Sequence, residues 1–425
     1  MKKKLIYLWA LLLVPIILLL SVFCLPSQYE ESYMGELKYK YNRLKNTDGK
    51  RIIIVGGSGM AFDVDSSLIK ENLPEYEVVN LGMYAALGTA SVLDMTISKV
   101  HEGDLVILAP EQSKQTLSGY LGTDYAWQAL DGAYYLLPYF FNSEKNISLM
   151  LSAFPRFATE KLRFFITNSA PNPDSVYRKS AFNEYGDIED LLPQNVMIDG
   201  YDKNMEISYD NNMISAGFVD YLNDCNNRIS KKGGTLLFAY CPANSKAVAK
   251  LTDIDDYADF LSENLSFDII GDPHNSIMDM EWFYDTNYHL NSSGKTLYTR
   301  QLIRDLKAYL SDSSITAIDI PQKPALLYQD ASQKKVLSAD TYADNASITS
   351  VTIDEDITLI EDYAFNGCTS LKEIQIKNAV PSSIQIGQHL LDGTDANIYV
   401  PESALSAYKT DYRFSQYSNR IFANK

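Results

Sequence analysis

Apolar positions fall into three regimes along the chain. A charge-free run from Leu5 to Leu25, interrupted mildly by Pro15 and Ser21, follows Lys2, Lys3 and Lys4. Between residues 50 and 312, short wholly apolar runs alternate with stretches of helical spacing. Beyond residue 346, short runs with apolar residues at matching places recur at a period in the twenties. Each regime predicts a different kind of structure.

The middle regime reads as an α/β domain. Ile52-Ile53-Ile54-Val55 is four β-branched residues in a row, as expected of a parallel strand buried on both faces. Similar runs lie at Glu77–Gly82, Asp104–Pro110, Gly234–Pro242 and Phe267–Gly271. Helical spacing separates them at Asp63–Leu73, Ala85–Val100 and Ser215–Lys231, and a final amphipathic helix is predicted over Leu297–Leu310. Strands alternating with helices through short loops imply right-handed crossovers and a parallel sheet. The rhythm breaks over about residues 113–210, where Trp127, Tyr134, Tyr135, Tyr139, Phe140 and Phe141 crowd together. This insertion is expected over the carboxyl edge of the sheet as a lid or substrate wall, or as a helical subdomain filling its own core with aromatics.

The last regime reads as a small repeat domain over residues 346–425, joined through a Ser-, Asp- and Pro-rich linker at 313–345. Ile348–Ile353 recurs in type as Leu371–Ile376, and Ile360–Gly367 is echoed by Ile386–Gly393 at an offset of 26. A short strand per unit at such a period is the leucine-rich-repeat pattern, in which stacked units bury a core that none could bury alone.

The N-terminal run is about 20 residues long, enough at 1.5 Å per residue to cover a hydrocarbon core of roughly 30 Å. It predicts one uncleaved transmembrane helix within residues 1–26, the lysines cytoplasmic and the bulk of the chain extracytoplasmic, with a juxtamembrane stalk over 27–49. Composition adds one exclusion. A net charge of −17 leaves no basic surface for nucleic acid. Cys24, Cys225, Cys241 and Cys368 are too scattered for a zinc or iron–sulfur pattern, so neither a metal nor an organic cofactor is expected.

The first strand runs into Gly56-Gly57-Ser58-Gly59, at the sheet edge where open α/β folds bind ligands. A dinucleotide fingerprint fails because Phe62 stands where helix packing needs glycine. A phosphate loop at Gly294-Lys295-Thr296 fails because His289 stands where its first glycine belongs, and Met60 breaks a G-x-S-x-G elbow. What remains is a strand-end serine in need of a base. Of four histidines, His389 lies in the repeats and His101 precedes the third strand at the wrong sheet edge, while His274 stays open. His289, in Asp285-Thr286-Asn287-Tyr288-His289, has an acid close by to orient it, with Asp279 in reserve.

This set of residues resembles the SGNH (GDSL-like) hydrolase superfamily over about residues 50–312. Gly57-Ser58 is similar to its serine block, with Gly57 where the familiar motif has Asp; Asn80-Leu81-Gly82 with Gly88 is similar to its second block, and Asp285…His289-Leu290-Asn291 to its Asp/His block. The third block differs: Ala109-Pro110-Glu111-Gln112 lacks the usual asparagine, leaving Gln112 as a substitute donor or Glu111 as an acceptor from substrate. Asp285 also precedes His289 by four residues where three is commoner. The resemblance implies a flavodoxin-like three-layer fold, with Ser58 as nucleophile, His289 as base, Asp285 as its orienting acid, and an oxyanion hole from the N–H groups of Ser58 and Gly82 with Gln112. It implies ester hydrolysis or O-acyl transfer, here expected on an acylated cell-surface glycan. Residues 346–425 resemble the BspA-like leucine-rich repeats of bacterial surface proteins, which implies a protein or host-surface ligand. A catalytically inactive adhesion or scaffolding protein is the alternative.

Overall fold

The computed structural model describes residues 20–171, 176–189, 191, 193–312, 314, 318–324, 326, 335–338, 341–342, 344–361, 363–386, 390–391, 394–411 and 414–424. Five parallel strands form the central sheet: β1 (Lys50–Gly56), β2 (Tyr76–Asn80), β3 (Leu105–Ala109), β4 (Thr235–Ala239) and β5 (Ile269–Ile270). Their order is β2-β1-β3-β4-β5. The apolar runs alternate between two cores, as the period of a strand requires. Ile53, Val55, Val79, Val106 and Leu108 face one side, covered by helices Leu37–Asn46, Thr89–Lys99 and Ala216–Ser230. Ile52, Ile54, Val78 and Ile107 face the other, covered by Ser66–Asn72 and Ser292–Tyr309. Each fully buried aliphatic side chain contributes about 1.5–3 kcal/mol.

That strand order reverses between β1 and β3, which makes their carboxyl ends the topological switch point of the sheet. Ser58 leaves β1 and Glu111 leaves β3, so both arrive at this crevice. The loop carrying His289 is brought there by the final helix. Asn291 caps that helix by accepting from the Gly294 N–H at 3.0 Å, and its own amide donates to Phe283 O at 3.0 Å.

The expected membrane anchor does not stand. Among the described residues no helix is long and apolar enough to cross a membrane, and the topology drawn from that anchor falls with it. Residues 1–19 of the expected span lie outside the described residues. Its far end is folded into the protein: Val22 is buried, and Phe23 stacks on Phe154 at 5.2 Å and packs against Trp127. The segment expected as a stalk is also packed in, with Tyr29, Tyr33, Leu37, Tyr41 and Leu44 buried in the main core. Their spacing of three and four residues is one face of a helix.

The first part of the insertion is helical, with Thr123–Leu130 and the 24-residue Glu144–Thr167 packed together, and the described residues beyond Asn168 are mostly irregular. Trp127 is buried and donates to Met150 O at 2.9 Å. A fully buried ion pair, Lys161 with Asp131 at 2.7 Å, ties it to the N-terminal segment, because Asp131 also accepts from the Gln28 N–H at 2.7 Å. Trp127 and Phe140 join the main α/β core, with Tyr134, Tyr139 and Phe141 packed against it, while Tyr135 is exposed.

The C-terminal region forms two parallel sheets around its own core of Val351, Ile360, Leu371, Ile374, Ile398 and their neighbours. Ser350–Ile353, Glu373–Ile376, Asn397–Val400 and Ile421–Ala423 make one sheet; Lys335–Leu337, Ile357–Ile360 and Gln385–Ile386 make the other. Ile360 pairs with Ile386, reproducing the offset of 26 seen in the sequence. The strand at Lys335–Leu337 lies within the stretch read as linker, so the repeat architecture starts earlier than residue 346.

Candidate functional site

Ser58 opens a short helix, Ser58–Asp63, directly after β1. Two contacts fix that helix. Asp63 accepts from the Leu290 N–H at 2.7 Å, which ties it to the histidine loop, and Asn80 donates to Met60 O at 2.8 Å from the end of β2. Gly82 allows this approach, since a Cβ there would lie 2.5 Å from Ala61 N. The histidine loop is closed by the Tyr284 N–H donating to His289 O at 2.7 Å, with Thr286 Oγ1 accepting from the His289 N–H at 3.0 Å.

These constraints bring Ser58 together with Asp285 and His289, the histidine lying 231 residues further along the chain. Ser58 Oγ lies 2.9 Å from His289 Nε2, and His289 Nδ1 lies 2.9 Å from Asp285 Oδ1. All three are buried, Ser58 at 6% exposure and Asp285 at 1%. The four-residue spacing between acid and histidine is accommodated by the Thr286 turn. Phe62 stacks flat on the imidazole, ring centroids 4.0 Å apart and planes within 2°, which fixes the ring in one orientation. Tyr177, from the insertion, donates to Asp285 Oδ2 at 2.7 Å and sits 3.2 Å from His289 Nδ1. Arranged this way, a serine hydroxyl can pass its proton to an imidazole whose cationic form is stabilised by a carboxylate.

The other sequence candidates are placed differently. The Gly82 N–H donates to Asn80 Oδ1 at 2.8 Å, so it is engaged within its own loop. Gln112 turns away from Ser58: its amide donates to Ser208 O at 3.0 Å and its backbone carbonyl accepts from the Tyr288 hydroxyl at 2.6 Å. Asp279 is exposed and paired with Lys323. His274 is exposed and lies 2.7 Å from Asp255, His101 is half exposed beside Asp104, and His389 lies outside the described residues. All four cysteines are free, with Cys225, Cys241 and Cys368 buried.

The group that does meet Ser58 from the third strand is Glu111. Its Oε1 accepts from the Gly59 N–H at 2.8 Å and lies 3.2 Å from Ser58 Oγ. Its carboxyl fills the space beside Gly57, where an added Cβ would come within 2.5 Å of it. Burial raises the carboxyl above its ordinary range, opposed by the Gly59 N–H, the charge of His289 and the contact with Ser58. The third-block position pointed to Glu111 only as an acceptor from substrate, and no local pattern pointed to Tyr177.

Beside this chain of groups lies a cavity of about 370 Å³ lined by Tyr33, Tyr84, Tyr125, Tyr177, Arg163 and Lys409, among others. Tyr177 connects the two, its ring on the cavity and its hydroxyl on Asp285. Burial and the nearby Arg163 charge lower the Lys409 ammonium below its ordinary value. Among the described residues no group of acids, histidines and cysteines has the arrangement to hold a metal ion.

No curated protein matches this chain. Among solved structures, the X-ray crystal structure of protein YXIM from Bacillus subtilis aligns at 10% identity and a TM-score of 0.29, covering 64% of this chain and 59% of that one. The alignment thus spans less than two thirds of that protein, and at this score the likeness carries no argument. A family model, the BspA type leucine-rich repeat region, matches residues 335–421 in six copies. The match begins at the strand Lys335–Leu337 and ends at the start of Ile421–Ala423, so the C-terminal sheets are a BspA-type leucine-rich-repeat region.

Proposed function

We propose that the α/β unit is an SGNH-type serine centre that hydrolyses or transfers an O-acyl group on a glycan. The observation that carries this reading is the hydrogen-bonded run from Asp285 through His289 to Ser58, with both links at 2.9 Å. Ser58 Oγ attacks the ester carbonyl carbon and gives its proton to His289 Nε2, while Asp285 holds the other ring nitrogen. The carbonyl electrons move onto oxygen, which faces the Gly59 N–H. As the intermediate collapses, the bond to the leaving alkoxide breaks and His289 returns the proton to it. Water or an acceptor hydroxyl then attacks the acyl-serine in the same way and regenerates Ser58. The cavity that Tyr177 lines beside Asp285 offers a glycan tyrosine rings with flat apolar surface and hydroxyls, while Ser58 itself does not line it.

The test is release of p-nitrophenolate from p-nitrophenyl acetate by the full chain, with Ser58→Ala as the control. Turnover in the parent and its loss in the variant is expected; equal turnover in both would remove Ser58 from the reaction. The BspA-type match over residues 335–421 favours a second reading, a non-catalytic protein that binds a protein or surface ligand through its repeats. Retained ligand binding with no turnover on any acyl donor would select it.

A further inference from the structure

Ser58 Oγ has two partners and one proton. His289 Nε2 is 2.9 Å away and Glu111 Oε1 is 3.2 Å away. With Asp285 ionised, His289 Nδ1 carries a proton toward it, and the neutral ring then takes the serine proton at Nε2. Nothing is left on Ser58 for Glu111, and two buried oxygens facing each other without hydrogen repel. The run therefore holds one proton more than a serine, a neutral histidine and two carboxylates supply. On the imidazole, that proton would make three buried charges, a cation between two anions. On Glu111 it leaves only Asp285 charged, which avoids the cost of taking two further ions out of water.

The groups around Glu111 favour the second placement. Burial raises the Glu111 carboxyl, and a charge on it would in turn raise the acidic groups that surround it, Asp63, Tyr33, Tyr84, Tyr288 and Cys241. Asp63 is itself a buried carboxyl, held above its ordinary range by burial. Among the described residues no lysine or arginine makes an ion pair with Glu111.

The geometry points to Glu111 acting as a neutral carboxylic acid, donating to Ser58 Oγ at rest and to the substrate carbonyl oxygen as negative charge develops there. This rests on the serine reading above. At rest the Glu111 hydroxyl oxygen accepts from the Gly59 N–H and its proton points at Ser58. When an ester enters, its carbonyl oxygen takes over the Gly59 N–H, and the Glu111 hydroxyl turns to that oxygen as the second donor of the hole. No proton is transferred from Glu111 during attack or collapse. Ionised, the same side chain would set a negative charge against the oxyanion. Activity therefore falls with increasing pH as Glu111 loses its proton.

The test is the pH profile of kcat/KM with p-nitrophenyl acetate for the full chain, Glu111→Gln and Glu111→Ala. An amide donates at any pH, so Glu111→Gln is expected to retain turnover within about tenfold of the parent and to lose the alkaline limb. Glu111→Ala removes one donor from the hole and is expected to lose about 10²–10³-fold. A glutamine variant as impaired as the alanine variant, or one that keeps the alkaline limb, overturns the proposal. Labelling with a fluorophosphonate separates the two levels: a parent unlabelled at Ser58 overturns the serine reading and this proposal with it, whereas with a labelled parent the glutamine variant decides. Infrared difference spectra add a readout independent of turnover and of whether the alanine variant folds. A protonated-carboxyl band present in the parent and missing in Glu111→Gln is expected, and its absence from the parent refutes the neutral acid.

Discussion

Tyr177→Phe removes one hydroxyl that meets both Asp285 and His289 in the candidate site. The ring stays, so its packing on Phe62 at 5.6 Å and Tyr33 at 5.9 Å is preserved and little buried area changes. What is lost is the 3.2 Å contact with His289 Nδ1 and, chiefly, the 2.7 Å hydrogen bond to Asp285 Oδ2, on a carboxylate only 1% exposed that water cannot readily resupply. Hydrogen bonds to charged groups contribute about 1.5–3 kcal/mol, and the urea midpoint should fall by that amount of free energy at constant m. The effect on turnover is bounded by the same figure. If the whole loss appeared only in the transition state, kcat would drop by roughly 10–150-fold, since about 1.4 kcal/mol is a factor of ten. Asp285 Oδ1 keeps its link to His289, so the drop stays well short of the roughly 10⁴-fold that follows when a triad carboxylate is replaced by an amide. A fall of about tenfold in p-nitrophenyl acetate turnover, with the stability loss, is therefore expected. An unchanged midpoint with unchanged turnover would refute the reasoning. A 10⁴-fold loss would refute it from the other side, because Tyr177 would then be taking part in proton transfer.

Two further expectations concern the scaffold. Arg51→Met leaves Asp104 buried without the guanidinium that meets both its oxygens, one at 2.5 Å and one at 3.1 Å, and should cost about 3–5 kcal/mol in urea unfolding; a loss under 1 kcal/mol would mean that Asp104 finds other partners. Ile374→Ala opens a cavity in the separate core of the repeat region and should lower its stability by about 2–5 kcal/mol in calorimetry. Labelling of Ser58 should be unaffected, and parallel loss of labelling would show that the two units unfold together.

How much of the fold and the site was legible in the sequence depended on the range of each signal. The five strands of the main sheet were, because each is a local run of apolar residues and the loops between the first three are short. The 26-residue offset between Ile360 and Ile386 was also legible, since repetition survives without knowledge of packing. Ser58, His289 and Asp285 could be matched because a strand end and a helix start fix where two loops arrive. The two polar residues after Pro110 could not be sorted in the same way. Glu111 turns toward Ser58 and Gln112 toward Ser208, as neighbours on an extended chain do, and the assignment depends on a backbone path that composition does not record. Tyr177 was out of reach altogether, for it meets Asp285 across 108 residues through an irregular insertion. The N-terminal misreading has a different cause. Hydropathy alone does not distinguish an apolar run that enters lipid from one whose end meets Trp127 and Phe154.

Two of the three departures from the motif that Gly57-Ser58 resembles, at Gly57 and at Glu111, are linked by one steric constraint. The familiar motif carries an aspartate at the position of Gly57 and an asparagine on the third strand. Here the first is a glycine, and β3, across the switch point, leads into Glu111. A Cβ at Gly57 would lie 2.5 Å from the Glu111 carboxyl, so a side chain at the first position and this carboxyl at the second cannot both occupy the space. Glycine beside Ser58 is thus the condition under which Glu111 reaches both the Gly59 N–H and Ser58 Oγ. If Ser58 reacts as proposed, that coupling makes the protonation of one buried glutamate, and not the Ser58–His289–Asp285 run alone, the quantity on which its chemistry depends.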